Sequence, residues 1–412
     1  MVRKLQKLDI EFARTHFPAL ASDWVFFENA GGTLAANSVL QRTQAYMKNN
    51  IVQPGASFEA SAEGLSKIEE SQNLMAHMIG AHPSEVMIGP STTMNVFLLS
   101  HAIRGWFKEG DEIIVTNLDH EANNGAWRRL EEFGLVIREW RFNKETAELE
   151  ISTLEGLLSD RTCLVCFSHL SNIVGSINDV TAITKLAHQA GALVCVDGVA
   201  YAPHRAIDVK KLDVDFYLCS LYKLYGPHLS LLYGKQKHLK RLANNNHYFL
   251  SDKIPLKLNP GGSNHELTAG LAGIIDYFDL LHKHHFGDSN IDLHERIQQV
   301  FELIADHEEK IAASFAQFLE DKKEIRLIGL HNVEKKLRVP IFSFTVAGRQ
   351  SSEIPSAVLP NKIAVRSGDF YAARCIRDLG FQKEKGVVRV SMVHYNSAND
   401  VNRLIEALDQ VI

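Results

Sequence analysis

Residues 192–197 read ALVCVD, and residues 215–220 read DFYLCS. Both are short, nearly continuous apolar runs, the composition of strands buried on both faces of a parallel sheet. The first closes on Asp197, and the second is followed three residues on by Lys223. The amphipathic pattern TAITKLAHQAG at 181–191 leads into the first run, and Gly226-Pro227 stops any long helix after the second. As parallel neighbours, the two runs would set a carboxylate and an amine on one edge, outside the carboxyl ends of the strands. Open α/β sheets bind their ligands there. Alone, Asp197 reads equally well as a turn cap and Lys223 as a solvated loop lysine. Together on that edge they point to chemistry.

The same alternation extends outward over about 65–235. Helical patterns cover 66–80, 92–107, 122–134, 153–159 and 181–191. Strand patterns cover 85–89, 111–118, 135–142, 162–169, 192–197, 215–220 and 229–234. This order predicts a mostly parallel sheet covered on both faces. After about residue 290 the pattern changes. A long helix over 291–321 is followed by strands at 339–346, 362–368 and 386–392 and a closing helix at 398–410, an α+β unit. No internal repeat or low-complexity segment interrupts the chain.

The bulk properties exclude several classes. The 412 residues are 45% hydrophobic and 23% charged with a net charge of −5, and the basic residues are scattered. No basic tract marks a nucleic-acid or anionic membrane surface. The N-terminus lacks the apolar core of a signal peptide. No apolar run reaches the roughly 18 to 20 residues of a membrane span. The expected location is the cytoplasm. Five cysteines make no disulfide framework. Cys163 and Cys166 form C-x-x-C, but within a strand pattern that turns them to opposite faces, so they read as buried strand residues. The HKHH run at 282–285 reads as solvated surface rather than a metal site, and no metal is expected.

Other polar groups fall at predicted strand ends. Ser91 and Thr92 open a helix after Gly89-Pro90, as a phosphate site or as an ordinary N-cap. His120 follows the strand at 111–118, placed to stack on a flat ligand or to bond a loop. Asn172 and Arg366 lie at further strand ends. A phosphate cradle, a carboxylate, an amine and a flat stacking ring are the four requirements of pyridoxal 5′-phosphate.

With these motifs in order, nearly the whole chain resembles the class V aminotransferase group of fold-type I pyridoxal phosphate enzymes, nearest to the group II cysteine desulfurases and selenocysteine lyases. FFENAGGT is similar to the family's N-terminal motif at Asn29-Ala30, and DHEAN to its E-H-x-A-N, which implies His120 as ring stacker. SHLSNIVGSIND places Asn172 beside the cofactor, AHQAGALVCVDG makes Asp197 the pyridine partner, and DVDFYLCSLYKLYGP makes Lys223 the Schiff-base lysine. NPGGSNHE resembles the glycine-pair loop, here Gly261, Gly262 and Ser263, that reaches the phosphate of the partner subunit. VRSG and VVRVSM resemble the segments whose Arg366 and Arg389 hold a substrate carboxylate. The implied fold is a large domain with a mostly parallel seven-stranded sheet and a smaller α+β domain. Pattern and resemblance divide the chain into an N-terminal segment, 1–25, packing with the small domain, a large domain, 26–285, and a small domain, 286–412. The implied assembly is a homodimer with shared active sites, acting on an amino acid.

Three departures qualify the activity. The desulfurases carry a nucleophilic cysteine in R-x-G-H-H-C-A. Here the stretch is RSGDFYA, with Tyr371 at that position and Cys375 four residues on, on the same face if 371–379 is helical. Tyr222 replaces the histidine that precedes the lysine. Ala200 replaces the glutamine that contacts the cofactor's phenolic oxygen, a bond that Tyr201 or Tyr222 would have to supply. The expected activity is therefore C–S cleavage of cysteine or a related amino acid without the usual persulfide. An aminotransferase or epimerase is the alternative, and a non-catalytic cofactor-binding protein the remote one.

Overall fold

A computed structural model of the chain describes residues 7–412. Thirteen strands run in chain order: β1 (Val25–Phe26), β2 (Val86–Gly89), β3 (Glu112–Thr116), β4 (Val136–Trp140), β5 (Thr162–Ser168), β6 (Leu193–Asp197), β7 (Phe216–Ser220), β8 (Ser230–Gly234), β9 (Ile325–Ile328), β10 (Ile341–Val346), β11 (Ile363–Ala364), β12 (Arg366–Gly368) and β13 (Val387–Ser391). Seven form the large sheet, in the order β2-β8-β7-β6-β5-β3-β4. Only β8 runs against its neighbours. The two runs at 192–197 and 215–220 are parallel neighbours, Cys195 against Phe216 and Asp197 against Leu218. Their apolar continuity has the predicted cause: Val194, Cys195, Val196, Phe216 and Leu218 are all fully buried, with cover on both faces of the sheet.

A second sheet, β12-β13-β10-β9, is antiparallel, and β1 pairs in parallel with β11. The helix Leu293–Asp321 ties the two regions together. Its first half buries Ile297, Val300 and Ile304 against the large sheet's core. Its second half buries Ile311, Phe315 and Leu319 against the small sheet. Each such side chain contributes roughly 1.5–3 kcal/mol of apolar burial. The chain before β1 serves both regions. Ala13 and Phe17 join the first core, and Arg14 bonds the Tyr395 carbonyl and the Asp400 carboxylate. Residues 1–6 of the expected N-terminal segment lie outside the described residues.

Three expectations change. The helix over 122–134 is a broken series: 3-10 turns at Glu121–Asn123 and Arg129–Phe133 flank one α-turn at Gly125–Arg128. Asn123 and Asn124 turn inward to bond Asp119 and the Thr116 carbonyl, competing with helix geometry. The strand over 362–368 splits into β11 and β12, which join different sheets. The HKHH run is not simply solvated surface. His282 and His285 are buried, and His285 accepts the Asp9 N–H. Among the described residues no cluster of histidine, cysteine and carboxylate groups could hold a metal.

Candidate active site

The carboxyl ends of the large sheet's parallel strands carry the site. Asp197 is the last residue of β6, and Lys223 closes a 3-10 turn that directly follows β7. Both line one small cavity of about 70 Å³ with Ser91, Thr92, His120, Asn172, Ala200 and Tyr222. It adjoins a pocket of about 600 Å³ that shares His120, Asn172, Tyr222 and Lys223 and is lined also by Glu28, Ala30, Arg129, Arg366, Phe370, Tyr371 and Arg389.

The buried groups here lack partners. Lys223 is 6% exposed, and its amine makes no hydrogen bond or ion pair among the described residues. Burial first, and then the charge of Arg389, lower its pKa to about 8 against the pull of Asp197 and Glu28. Asp197 accepts the Val199 N–H at 2.8 Å on one oxygen and has no protein donor on the other. Its pKa is raised by burial, with Val199 and Lys223 opposing. Arg389 Nε and Ser168 Oγ are also buried without partners. Unsatisfied buried groups of this kind are costly unless a ligand completes them.

His120 is held in a neutral form. Its Nδ1 accepts the Ala122 N–H at 3.1 Å. Burial, then Lys223 and Arg389, lower its pKa to about 4. At the start of the helix Thr92–Ile103 the hydroxyls are already used: Ser91 Oγ accepts the Met94 N–H, and Thr92 Oγ1 bonds Ser220 and Ser230. Thr92 and Thr93, whose N–H groups have no intrahelical acceptor, line the cavity. Of the donors expected for a phosphate, hydroxyls and backbone N–H groups, the hydroxyls are engaged within the protein and the N–H groups are not.

Other expected residues divide. Asn172 lines both cavities, donates to the Phe370 carbonyl at 3.1 Å, and accepts from Arg389 through its carbonyl at 3.1 Å. Arg366 and Arg389 face each other across β12 and β13. Ala30 lines the pocket, but Asn29 does not reach it. Its amide donates to the Phe26 and Ser391 carbonyls and to Asn396, and its oxygen accepts from Tyr395, so it braces the turn instead. Tyr201 stacks on His169 at 3.5 Å away from the cavity, which leaves Tyr222 as the phenol that lines it. Gly261 and Gly262 are exposed in left-handed conformations, and with Ser263 they stand outside this chain's pocket. Tyr371 is 70% exposed at the pocket rim, whereas Cys375 is fully buried in the core with its thiol pushed well up by burial. The shared face with Tyr371 does not form, because the helix starts only at Ala373.

Two groups escaped the sequence reading. Asp119 is buried beside Asp197. It takes bonds from Thr116, the Ser168 N–H and Asn123, and burial raises its pKa to about 7. Its position directly before His120 was the available signal. Glu28, in ENAGG, pairs with Arg389 at 2.7 Å.

An Aminotransferase class-V family model matches residues 25–404. The chain belongs to the class-V aminotransferase family. It is 36% identical over 412 residues to the Aminotransferase-like protein FGM3 of Gibberella zeae, covering 98% of each chain. It is 33% identical over 417 residues to the Cysteine desulfurase-like protein ustD of Aspergillus flavus, covering 98% of this chain and 91% of that one. Its fold is that of the cysteine desulfurase from Thermococcus onnurineus, with TM-score 0.86, 24% identity and 98% coverage of both chains. Enzymes of this class-V family depend on pyridoxal 5′-phosphate, and this chain is one of them. The site fits that cofactor in its donor set: an unpaired buried amine, a carboxylate with a vacant oxygen, a neutral flat ring and free helix N–H groups. Among the described residues no helix is long and apolar enough to cross a membrane.

Proposed function

We propose that this class-V enzyme cleaves the C–S bond of cysteine or a related amino acid and releases the sulfur without a protein persulfide. One observation carries this reading: among the described residues no cysteine lines the catalytic pocket, and Cys375 is sealed in the core. A thiol there has neither the access nor the ionisation that sulfur capture needs.

Lys223 would anchor the cofactor aldehyde, Asp197 would hold the pyridine nitrogen protonated, and His120 would cover the ring. The N–H groups of Thr92 and Thr93 would receive the phosphate. Bound there, the cofactor supplies an electron sink that acidifies the α-carbon of an amino acid. The chain's own residues do the rest. Arg389 and Arg366 orient the carboxylate through charge-assisted bonds. The Lys223 amine, with its pKa near 8, is partly unprotonated at neutral pH and takes the α-proton. Tyr222 stands beside Lys223 as a neutral donor, its pKa raised by burial. Phe370 and Tyr371 border the pocket and limit water. Gly261, Gly262 and Ser263 serve the partner's phosphate in a homodimer.

The identity with the aminotransferase-like relative supports a second reading, transamination. Product analysis separates the two. Holoenzyme is incubated with cysteine and other single amino acids, and sulfide, pyruvate, alanine, keto acid and absorbance are measured. Sulfide with pyruvate is the expected result, unchanged in Cys375→Ala. Alanine with a Cys375-dependent persulfide contradicts the proposal, and keto acid with aminated cofactor supports the second reading.

A further inference from the structure

Glu28 is a charged group of the pocket that neither the cofactor nor the proton transfers use. The backbone brings it there by strand pairing: Glu28 bridges Ser391 in parallel, the Ser391 N–H donates to the Phe27 carbonyl at 2.7 Å, and Arg389 lies two residues earlier on β13. Residues two apart on a strand share a face. Glu28 Oε1 thereby meets Arg389 Nη2 at 2.7 Å.

Two of the guanidinium's five N–H groups have partners among the described residues. Nη1 donates to the Asn172 carbonyl at 3.1 Å, and the group lies 3.8 Å over the Phe370 ring. Nε has no partner. A carboxylate bound in two-pronged fashion takes two N–H groups from one edge of the fork. Nη2 belongs to both edges of the fork, Nη1–Nη2 and Nε–Nη2, and Glu28 already holds one of its N–H groups. Arg366 stands directly across from Arg389, so the pair of like charges also needs an anion between substrate visits.

Gly31 supplies an independent sign. Its φ lies outside the left-handed region, so the backbone does not require glycine. A Cβ there would instead collide with the Glu28 carboxylate, and all three nearest atoms belong to that group. Glycine at 31 makes room for Glu28 to reach Arg389.

We propose that Glu28 is a resident counter-ion of Arg389 that the substrate carboxylate must displace, and that it sets how tightly the enzyme holds its amino acid. This rests on the reading of Arg389 as the carboxylate anchor. Without Glu28, the buried guanidinium is unpaired until a ligand arrives, and incoming carboxylates gain the difference. Glu28→Gln removes the competitor by charge. Gly31→Ala removes it by displacement, since a flexible carboxylate end yields more readily than backbone.

The test titrates propionate, a carboxylate without an amine, into wild-type, Glu28→Gln, Gly31→Ala and Arg389→Gln holoenzyme by calorimetry. It also compares KM and kcat for the amino-acid substrate. Propionate should bind about tenfold tighter to Glu28→Gln and Gly31→Ala, with a matching fall in KM and no gain in kcat, and should not bind Arg389→Gln. Unchanged or weaker binding to Glu28→Gln and Gly31→Ala, with binding still lost in Arg389→Gln, overturns the proposal and leaves the anchor intact. Unchanged binding to Arg389→Gln overturns the anchor reading and the proposal with it.

Discussion

Strand β7 has a buried ionisable group at each end, and the two ends are built in opposite ways. Asp215, directly before the strand, is 2% exposed and bonded on every side. His188 and His238 each meet it at 2.8 Å, the Val194 N–H at 2.9 Å and Lys235 at 3.3 Å. Burial alone would raise its pKa, but His238, His188, Lys235 and Val194 outweigh it and hold the carboxyl well below the usual range. Lys223, just past the other end, has no such partner and is pushed toward neutrality. One end spends its charge on the fold. The other keeps its ionisable group unpaired, a cost of the kind found where a ligand completes the site.

Substitution at each end should break different properties. The largest effect is expected for Lys223→Ala: turnover lost by at least about a thousandfold, measured with saturating cofactor, because amine and base vanish together. Next comes Asp215→Ala, which leaves two histidines and Lys235 around an empty site. It should lose about 3–5 kcal/mol of stability in denaturant titration, with KM nearly unchanged. The sign with pH follows from the depressed carboxyl: the native stabilisation is full above the unfolded pKa near 4 and fades as pH falls below it, so wild type and variant converge in acid. The smallest effect is a gain. Lys223→Met should stabilise the cofactor-free protein by about 3 kcal/mol below pH 8, where the buried amine would otherwise have to carry its proton, and the gain should fade as pH rises toward 10.5. Equal losses of stability at both ends would erase the distinction.

Much of the active end was legible in the sequence. Asp197, His120, Asn172 and Lys223 each follow an apolar run, and runs of that composition place their own ends on one edge of a parallel sheet. The rest depends on contacts that no local pattern encodes. Glu28 and Arg389 are far apart in sequence and meet only through strand pairing. Asn29 shares its motif with Ala30, yet its side chain is consumed by Ser391, Tyr395 and Asn396. Helical spacing over 371–379 would set Cys375 on one face with Tyr371. The left-handed backbone at Phe370 and Tyr371 delays the helix and turns the thiol into the core. The same holds for the split at Val365, where one continuous strand pattern serves two sheets.

The central claim is that the unpaired amine at the end of β7 is the one that binds the cofactor covalently. Holoenzyme reconstituted with pyridoxal 5′-phosphate can be reduced with borohydride, digested and mapped by mass spectrometry. A stoichiometric pyridoxyl adduct on Lys223 is the predicted result. An unmodified Lys223, with the adduct on another lysine or absent, would contradict the account.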